Sequence, residues 1–184
     1  MFGIIHGELQ GDKRDGEFVA ARLRELRGRG FRYVAVEASA SLNRALRRHD
    51  FEGEAEKIFG GHWTEFGPVI QEARKLKMKL VFYDVENDWQ GSDAEREAHA
   101  FKNLRGIVFD QDPAAKLVIY SGGKHMYTEP VERDFLHPEK IKWLGAFLYE
   151  RFGKQLLTVL LQPKKPGIRG YSFDHQFYLG KQCP

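Results

Sequence analysis

The sequence predicts a single α/β domain of three layers, with a mostly parallel β-sheet and helices on both faces. Short apolar runs alternate with stretches in which apolar residues recur at helical spacing, a pattern typical of strands joined by crossover helices. The segment Leu117–Tyr120 is apolar throughout, as expected for a parallel strand that is buried on both faces. A chain of 184 residues has the length of one domain.

Five segments are predicted to be strands because each is rich in apolar residues and ends at a turn or a polar side chain. Parallel strands of one sheet end at the same edge, so the residues that follow them are predicted to meet there. The five segments are 1–5, 31–37, 78–84, 115–120 and 156–162.

Helices are predicted between these strands. Val19, Leu23 and Leu26 fall on one helical face, and Gly28 and Gly30 end that helix. A second helix is predicted over Ala38–Arg48, with an irregular stretch over Asp50–Trp63. The remaining helices are predicted from Phe66 to Leu76, from Ser92 (with Glu95 as a capping box) to about Arg105, and over Pro138–Phe152.

The domain is predicted to cover residues 1–162, and 163–184 to form an irregular extension packed on it or beside it. Proline and glycine interrupt this tail, which also carries the aromatic residues Tyr171, Phe173, Phe177 and Tyr178. A short strand pair or a flap that faces a partner are both consistent with this pattern.

Composition excludes several classes of protein. The net charge of +3 is too small to indicate nucleic-acid binding. The single cysteine, Cys183, cannot form an internal disulfide, which agrees with a reducing compartment. No apolar run is long enough to span a membrane, and the N-terminus has no signal-peptide pattern. These observations predict a cytoplasmic protein, although upstream residues could be missing; its oligomeric state stays open.

Four strand ends carry side chains that can take part in chemistry, namely His6, Glu37, Asp84 and His125. The sequence Gly-x-x-His occurs twice, at Gly3–His6 and at Gly122–His125. Gly122 and Gly123 allow a sharp turn and a close approach of the backbone to a ligand. Gly3, Gly122, Gly123 and Asp84 are therefore predicted to line a cofactor or ligand site.

Two chemistries suit this set of residues. His6, Glu37 and His125 can bind a divalent metal such as Zn, Mn or Co. Alternatively, one histidine, oriented by a carboxylate, takes a proton from water. The sequence has no Gly-x-Ser-x-Gly elbow, no Walker loop and no complete dinucleotide fingerprint.

The ordered set of paired Gly-x-x-His motifs, the glutamate that ends Val34-Ala35-Val36-Glu37 and the arginine of Glu95-Arg96-Glu97 resembles the Tiki/TraB/ChaN-like superfamily, which includes erythromycin-esterase-like proteins. The resemblance covers residues 1–162 and implies that His6, Glu37, Arg96 and His125 are catalytic. The sequence departs from the family at Ile4, where many members carry a glutamate or a small polar residue. Helical periodicity alone groups Ala94, Ala98, Phe101 and Arg105 on one face and makes Arg96 exposed.

The resemblance implies a hydrolase that cleaves peptide or ester bonds in a peptide or small molecule, with metal-bound or histidine-activated water. Arg96 would then bind an anionic group of the substrate or the developing oxyanion. The alternatives are a module that binds haem without catalysis, as ChaN-type proteins do, and a domain of a larger toxin or effector. Ile4, which removes a polar group from the first motif, favours the binding module slightly.

Overall fold

The computed structural model describes residues 2–6, 13–46, 51–134, 137–162 and 175–178. In this part of the chain six parallel strands form one sheet in the order β3-β2-β4-β1-β7-β8. The strands are β1 (Phe2–His6), β2 (Tyr33–Ser39), β3 (Lys79–Asp84), β4 (Leu117–Gly122), β7 (Leu157–Gln162) and β8 (His175–Tyr178).

Helices cover both faces of this sheet, so the predicted α/β fold with a mostly parallel sheet is confirmed. One face carries α1, α3 and α4, and the other carries α5 and α6. The helices are α1 (Lys13–Gly28), α2 (Leu42–Ala45), α3 (Phe51–Phe59), α4 (Trp63–Lys75), α5 (Asp93–Leu104) and α6 (Leu144–Phe152).

The core lies in two layers because successive side chains of a strand point to opposite faces. In β2, Val34 and Val36 pack with α1 and α4, whereas Tyr33 and Ala35 pack with α5. Every residue of β4 from Leu117 to Tyr120 is fully buried, which explains the unbroken apolar run in the sequence. Full burial of such side chains contributes about 1.5–3 kcal/mol each.

The strand register brings the two Gly-x-x-His motifs together at one edge. The backbone of His6 at the end of β1 is paired with Gly122 at the end of β4. On the other side of β4, Val36 of β2 is paired with Tyr120, so Glu37 follows at the same edge. A 3₁₀ turn, Gly123–Met126, then continues from β4 and carries His125.

The prediction of a helix over Pro138–Phe152 is wrong in its first part. Residues His137–Ile141 form β6, which pairs antiparallel with β5 (Val131–Asp134) in a separate hairpin. Ile141 and Trp143 are buried against Tyr127 in a small cluster of their own. Helix α6 begins only at Leu144, because the side chain of Ile141 belongs to this cluster and not to the helical stripe.

Two further boundaries differ from the sequence prediction. Strand β2 continues to Ser39, so only Leu42–Ala45 of the predicted Ala38–Arg48 helix is helical in the described residues. The stretch predicted to be irregular contains α3, followed by a 3₁₀ turn at Gly60–His62. Phe51, Ala55 and Phe59 occupy one buried face of α3, a spacing of four residues that is typical of a helix.

Strand β3 lies at one end of the sheet order, and a side chain continues its hydrogen bonding. The amide of Asn43 on α2 donates to the carbonyl of Phe82 (2.7 Å) and accepts from the N–H of the same residue (3.0 Å). The Asn43 side chain therefore takes the place of a neighbouring strand at this position.

Within the predicted tail, residues 175–178 pair with β7 as the outermost strand of the sheet. Cys183 and two of the four aromatic residues, Tyr171 and Phe173, lie outside the described residues, so the domain boundary at 162 stays a prediction. No helix in the described part of the chain combines the length and the apolar character needed to cross a membrane.

Candidate functional site

Glu37 lies where β2 reaches the carboxyl edge of the sheet, with only 16% of its side chain exposed. Its Oε2 accepts a hydrogen bond of 2.6 Å from the backbone N–H of Gly122. Its Oε1 lies 3.0 Å from Nε2 of His125 and accepts a bond of 3.2 Å from Nη2 of Arg96. Three groups from β4, the following 3₁₀ turn and α5 thus hold one carboxylate in place.

His125 is held on both sides. Besides the contact of Nε2 with Glu37, its Nδ1 lies 2.7 Å from Oε1 of Glu97. The indole of Trp143 packs edge-on against the imidazole, with ring centroids 5.5 Å apart and an angle of 87° between the planes. The ring is therefore fixed in orientation by two carboxylates and one aromatic neighbour.

Glu97 was not among the residues predicted from the sequence, yet its side chain is only 1% exposed. Its second oxygen, Oε2, accepts a hydrogen bond of 2.9 Å from the backbone N–H of Leu144 at the start of α6. On α5 it shares the buried face with Ala100 and Leu104. This spacing of three and four residues places a charged side chain on an apolar stripe. In the sequence, that placement is the feature that points to Glu97 as a buried residue.

The orientation of α5 that buries Glu97 also explains the position of Arg96. Periodicity based on Ala94 and Ala98 predicted an exposed side chain, but both alanines are exposed and the arginine lies at the flank of the buried face. Arg96 is 32% exposed and contacts Asp84 through both Nε and Nη2, and Glu37 through Nη2. The structure thus brings Glu37, Asp84, Arg96 and His125 together.

The electrostatics of this cluster favour charged forms. Burial alone would raise the pKa of Glu37, but the charge and hydrogen bond of His125, the Gly122 N–H and Arg96 hold that pKa well below its ordinary value. Burial would lower the pKa of His125, but Glu37 and Glu97 raise it well above its ordinary value. Burial would also lower the pKa of Arg96, and Asp84 and Glu37 outweigh it and raise that pKa.

Glu37, Gly122 and His125 line a cavity of about 210 Å³ at the edge of the sheet. Its opposite wall comes from α3, the following 3₁₀ turn and α4, and combines apolar side chains with His62 and Glu65. Arg96 and Asp84 do not line it, so they contact the site from behind Glu37. The other lining residues are Ala38, Ile58, Phe59, His62, Glu65, Phe66 and Asn87.

The remaining predicted residues lie at different places. His6 ends β1 beside Gly122, and its side chain is outside the described part of the structure. Gly123 begins the 3₁₀ turn that carries His125. Gly3 is paired with Ile119 and Thr158, three residues before the end of β1, and therefore lies about 10 Å from the edge.

In the described residues both nitrogens of His125 face carboxylates, and both oxygens of Glu37 contact other protein groups. The side chain of His6, the third residue predicted to bind a metal, lies outside the described part of the structure. No three His, Cys, Asp or Glu side chains among the described residues are grouped as a metal site. Metal and haem binding stay predictions.

Comparison with known proteins links this architecture to hydrolase and toxin structures. No family model matches the sequence, and no curated protein does. An erythromycin esterase, the EreC H289N mutant in its open conformation, matches with a TM-score of 0.65 at 10% identity. The match covers 87% of this chain and 69% of the esterase. The fold is therefore similar to that of an erythromycin esterase.

Bacterial toxins share the fold as well. The C-terminal region of Pasteurella multocida toxin, described as having a thiol-protease-like catalytic triad, matches with a TM-score of 0.58 at 10% identity. A structure described as bacterial protein toxins matches with a TM-score of 0.54 at 12% identity. The matches cover 87% and 88% of this chain, but only 23% and 33% of the toxin chains.

Proposed function

We propose that this chain is a hydrolase that cleaves ester or amide bonds in the cavity between Glu37, His125 and α3. The observation that carries the proposal is the carboxylate–imidazole pair of Glu37 and His125, 3.0 Å apart, on the wall of a cavity at the carboxyl edge of a parallel sheet. Ligands bind at this edge in open α/β folds. The likeness to an esterase in fold agrees with the proposal.

In the proposed reaction His6 acts as the general base. His125 has no nitrogen free to accept a proton from water, because each faces a carboxylate. The other predicted histidine ends the adjacent strand, and its backbone is paired with Gly122. We therefore assign to His6 the removal of a proton from the attacking water. General acid–base help of this kind is typically worth about 10²–10⁴-fold.

His125 and Arg96 have different roles from those of a base or an oxyanion ligand. His125, with the positive charge that its neighbours favour, places that charge on the wall of the cavity, and the proton that His6 takes from water passes to the leaving atom as its bond to the carbonyl carbon breaks. Arg96 does not line the cavity; it holds Glu37 and Asp84. We therefore assign to Arg96 the role of orienting Glu37, which in turn orients His125.

The test is a panel of ester and amide substrates with matched variants. His125→Ala and Glu37→Gln are expected to lose at least about 10²-fold in rate. The controls are His99→Ala and Glu25→Gln, which remove an exposed histidine on α5 and an exposed carboxylate on α1. Variants that hydrolyse as fast as wild type would contradict the proposal, as would haem uptake with a visible absorption band and no hydrolysis.

The occurrence of this fold inside longer toxin chains supports a second proposal, that the protein acts as a toxin or effector domain. Its test is expression of wild type and of His125→Ala in bacterial and eukaryotic cells at matched protein levels. Growth inhibition by wild type alone supports it. Equal growth of both strains contradicts it.

A further inference from the structure

We propose that the edge of the sheet opposite the cavity is a docking surface for a membrane that contains anionic lipids. Because β2, β3 and β4 are parallel, their first residues lie together at the edge of the sheet that is far from Glu37 and His125. None of the residues that carry the proposed docking surface lines the cavity, so docking does not depend on hydrolysis.

Three cations lie side by side where these strands begin. The backbone N–H of Lys79 donates to the carbonyl of Arg32 (2.8 Å), and the N–H of Arg32 donates to the carbonyl of Lys116 (3.1 Å). All three residues are exposed. Neighbouring strands lie about 5 Å apart, so Lys79, Arg32 and Lys116 form a row, which we call the basic row.

The side chains of Arg32 and Lys116 contact neutral groups. Nη1 of Arg32 donates to the carbonyl of Arg27 (3.4 Å), and Nζ of Lys116 donates to the carbonyl of Arg29 (3.2 Å). The carboxylate of Glu25 is engaged by Arg29 (2.7 Å). Within the described part of the chain, no carboxylate forms an ion pair with either of these two cations of the row.

The third cation of the row is also not neutralised directly. Nζ of Lys79 donates to the hydroxyl of Tyr33 (3.2 Å), and that hydroxyl donates to Asp112 (3.2 Å). The carboxylate thus reaches Lys79 only through Tyr33. Like charges beside each other on neighbouring strands are unfavourable, so an anionic partner that neutralises the row is favoured.

Lys77 adds an exposed cation to the same edge, two residues before Lys79. It follows the end of α4 with a φ of 54°, in the left-handed region where glycine is the usual residue. Glycine would remove the strain but also the charge. The chain therefore places a positive charge at this position at a cost in backbone strain.

Exposed apolar side chains flank the basic row at both ends. Ile107, which is 37% exposed, lines a cavity together with Lys79. Pro113 and Ala114 are exposed and line another cavity together with Lys116. Anionic lipids attract lysine and arginine, and apolar side chains among cations are typical of surfaces that bind the interface of a bilayer.

A single-stranded nucleic acid fits this edge less well than a membrane does. Phe31 and Tyr33, the aromatic neighbours of Arg32, are only 6% and 5% exposed. Their rings therefore cannot stack on bases, which is a main source of affinity in proteins that bind single strands.

Docking through the basic row would also orient the molecule. Strand β4 has six residues and spans about 20 Å between the row and the edge that carries Glu37 and His125. The cavity would then face the aqueous phase, away from the lipid, and a dissolved substrate could enter it while the protein is bound.

The test is co-sedimentation of the full chain with vesicles of equal parts phosphatidylserine and phosphatidylcholine, and with vesicles of phosphatidylcholine alone. Wild type is expected to bind only the vesicles that contain phosphatidylserine. It should dissociate as salt rises from about 0.1 M to about 1 M, because salt screens the charges. Arg32→Gln/Lys116→Gln is expected to bind about 25-fold more weakly, which is about fivefold for each charge removed.

The matched control is Lys57→Gln/Lys140→Gln, which also lowers the net charge by two. Lys57 and Lys140 are exposed on α3 and β6, and α3 forms a wall of the cavity at the other edge of the sheet. This variant is expected to bind within about twofold of wild type, because its missing charges lie beyond the reach of the lipid headgroups.

Equal binding of wild type to both kinds of vesicle, or equal losses in the two double variants, would overturn the proposal. Double-stranded DNA that binds wild type more tightly than the vesicles do, and binds Arg32→Gln/Lys116→Gln weakly, would assign the row to nucleic acid instead. If that variant does not fold, Lys77→Gly tests the same edge. It is expected to raise the melting temperature while weakening vesicle binding about fivefold, and wild-type binding by Lys77→Gly would count against the docking surface.

Discussion

The guanidinium of Arg96 joins carboxylates on neighbouring strands, Asp84 of β3 and Glu37 of β2. A lysine cannot reproduce this, because one ammonium group cannot pair with both oxygens of Asp84 and reach Glu37 as well. We expect Arg96→Lys to cost about 1 kcal/mol in the free energy of unfolding, and hydrolysis to fall by about 10²-fold as Glu37 loses its orientation.

Urea denaturation and initial rates measure the two effects. The control is Arg105→Lys, since Arg105 forms an ion pair with Asp110 on the surface, where both side chains are almost half exposed. Equal rates for Arg96→Lys and wild type would show that the orientation of Glu37 does not depend on Arg96.

Single residues also show how far the sequence could predict this site. Glu37 and His125 were predicted because each follows an apolar strand, and a strand's end can be read from local composition. Glu97 lies inside a helix, 28 residues before its partner His125. Its spacing from Ala100 and Leu104 fits a buried stripe, but the stripe through Ala94 and Ala98 fits the same helix, and only packing against the sheet decides between the two.

Among the elements, α6 and the turn that carries His125 pack against each other without space for a side chain. A Cβ added to Gly145 would lie 2.4 Å from the carbonyl carbon and oxygen of Met126. The backbone next to His125 would have to move. Gly145→Ala is therefore expected to lower the free energy of unfolding by about 1–3 kcal/mol and to reduce hydrolysis.

The matched control is Gly106→Ala, where an added Cβ meets nothing within 4 Å and where helix propensity favours alanine. Thermal unfolding of both variants compares their stabilities. The ¹⁵N signals of His125 then report whether the ring has left Glu97. An unshifted His125 spectrum in Gly145→Ala would mean that the turn tolerates the displacement.

Element boundaries were predicted well only where the pattern was local. The apolar runs of β2, β3 and β4 identify buried strands without knowledge of their neighbours. The hairpin of β5 and β6 was missed because Ile141 fits the helical spacing of Leu144 and Leu148 as well as it fits a strand. Its burial against Tyr127 and Trp143 decides between the two, and that contact is not local in sequence.

For the whole molecule, the buried charges predict an optimum of stability in weakly acidic solution. Glu37, with its pKa lowered from 4.5, stabilises the fold fully above pH 4.5, and this contribution is lost as pH falls towards its pKa in the folded state. His125, with its pKa raised from 6.5, stabilises the fold fully below pH 6.5, and this contribution is lost as pH rises through its pKa in the folded state. Both contributions are complete between these values.

Urea denaturation from pH 6.5 to 8.5 tests the alkaline side. Above pH 6.5 the unfolded chain releases the His125 proton and the folded chain keeps it, so the free energy of unfolding should fall by about 1.4 kcal/mol per pH unit from this residue. His125→Ala should lack that slope, and His99→Ala, which removes an exposed histidine, should retain it. Parallel slopes in wild type and His125→Ala would refute the assignment.

The amide of Asn43, which completes the hydrogen bonding of Phe82, affects whether the edge strand β3 can pair with a strand of a second molecule. An edge strand with unpaired N–H and C=O groups is a template on which a second chain can add a strand. In this protein one short side chain already fills that place at the middle of β3. The asparagine thus occupies the N–H and C=O groups of Phe82 with which a second sheet would have to pair edge to edge.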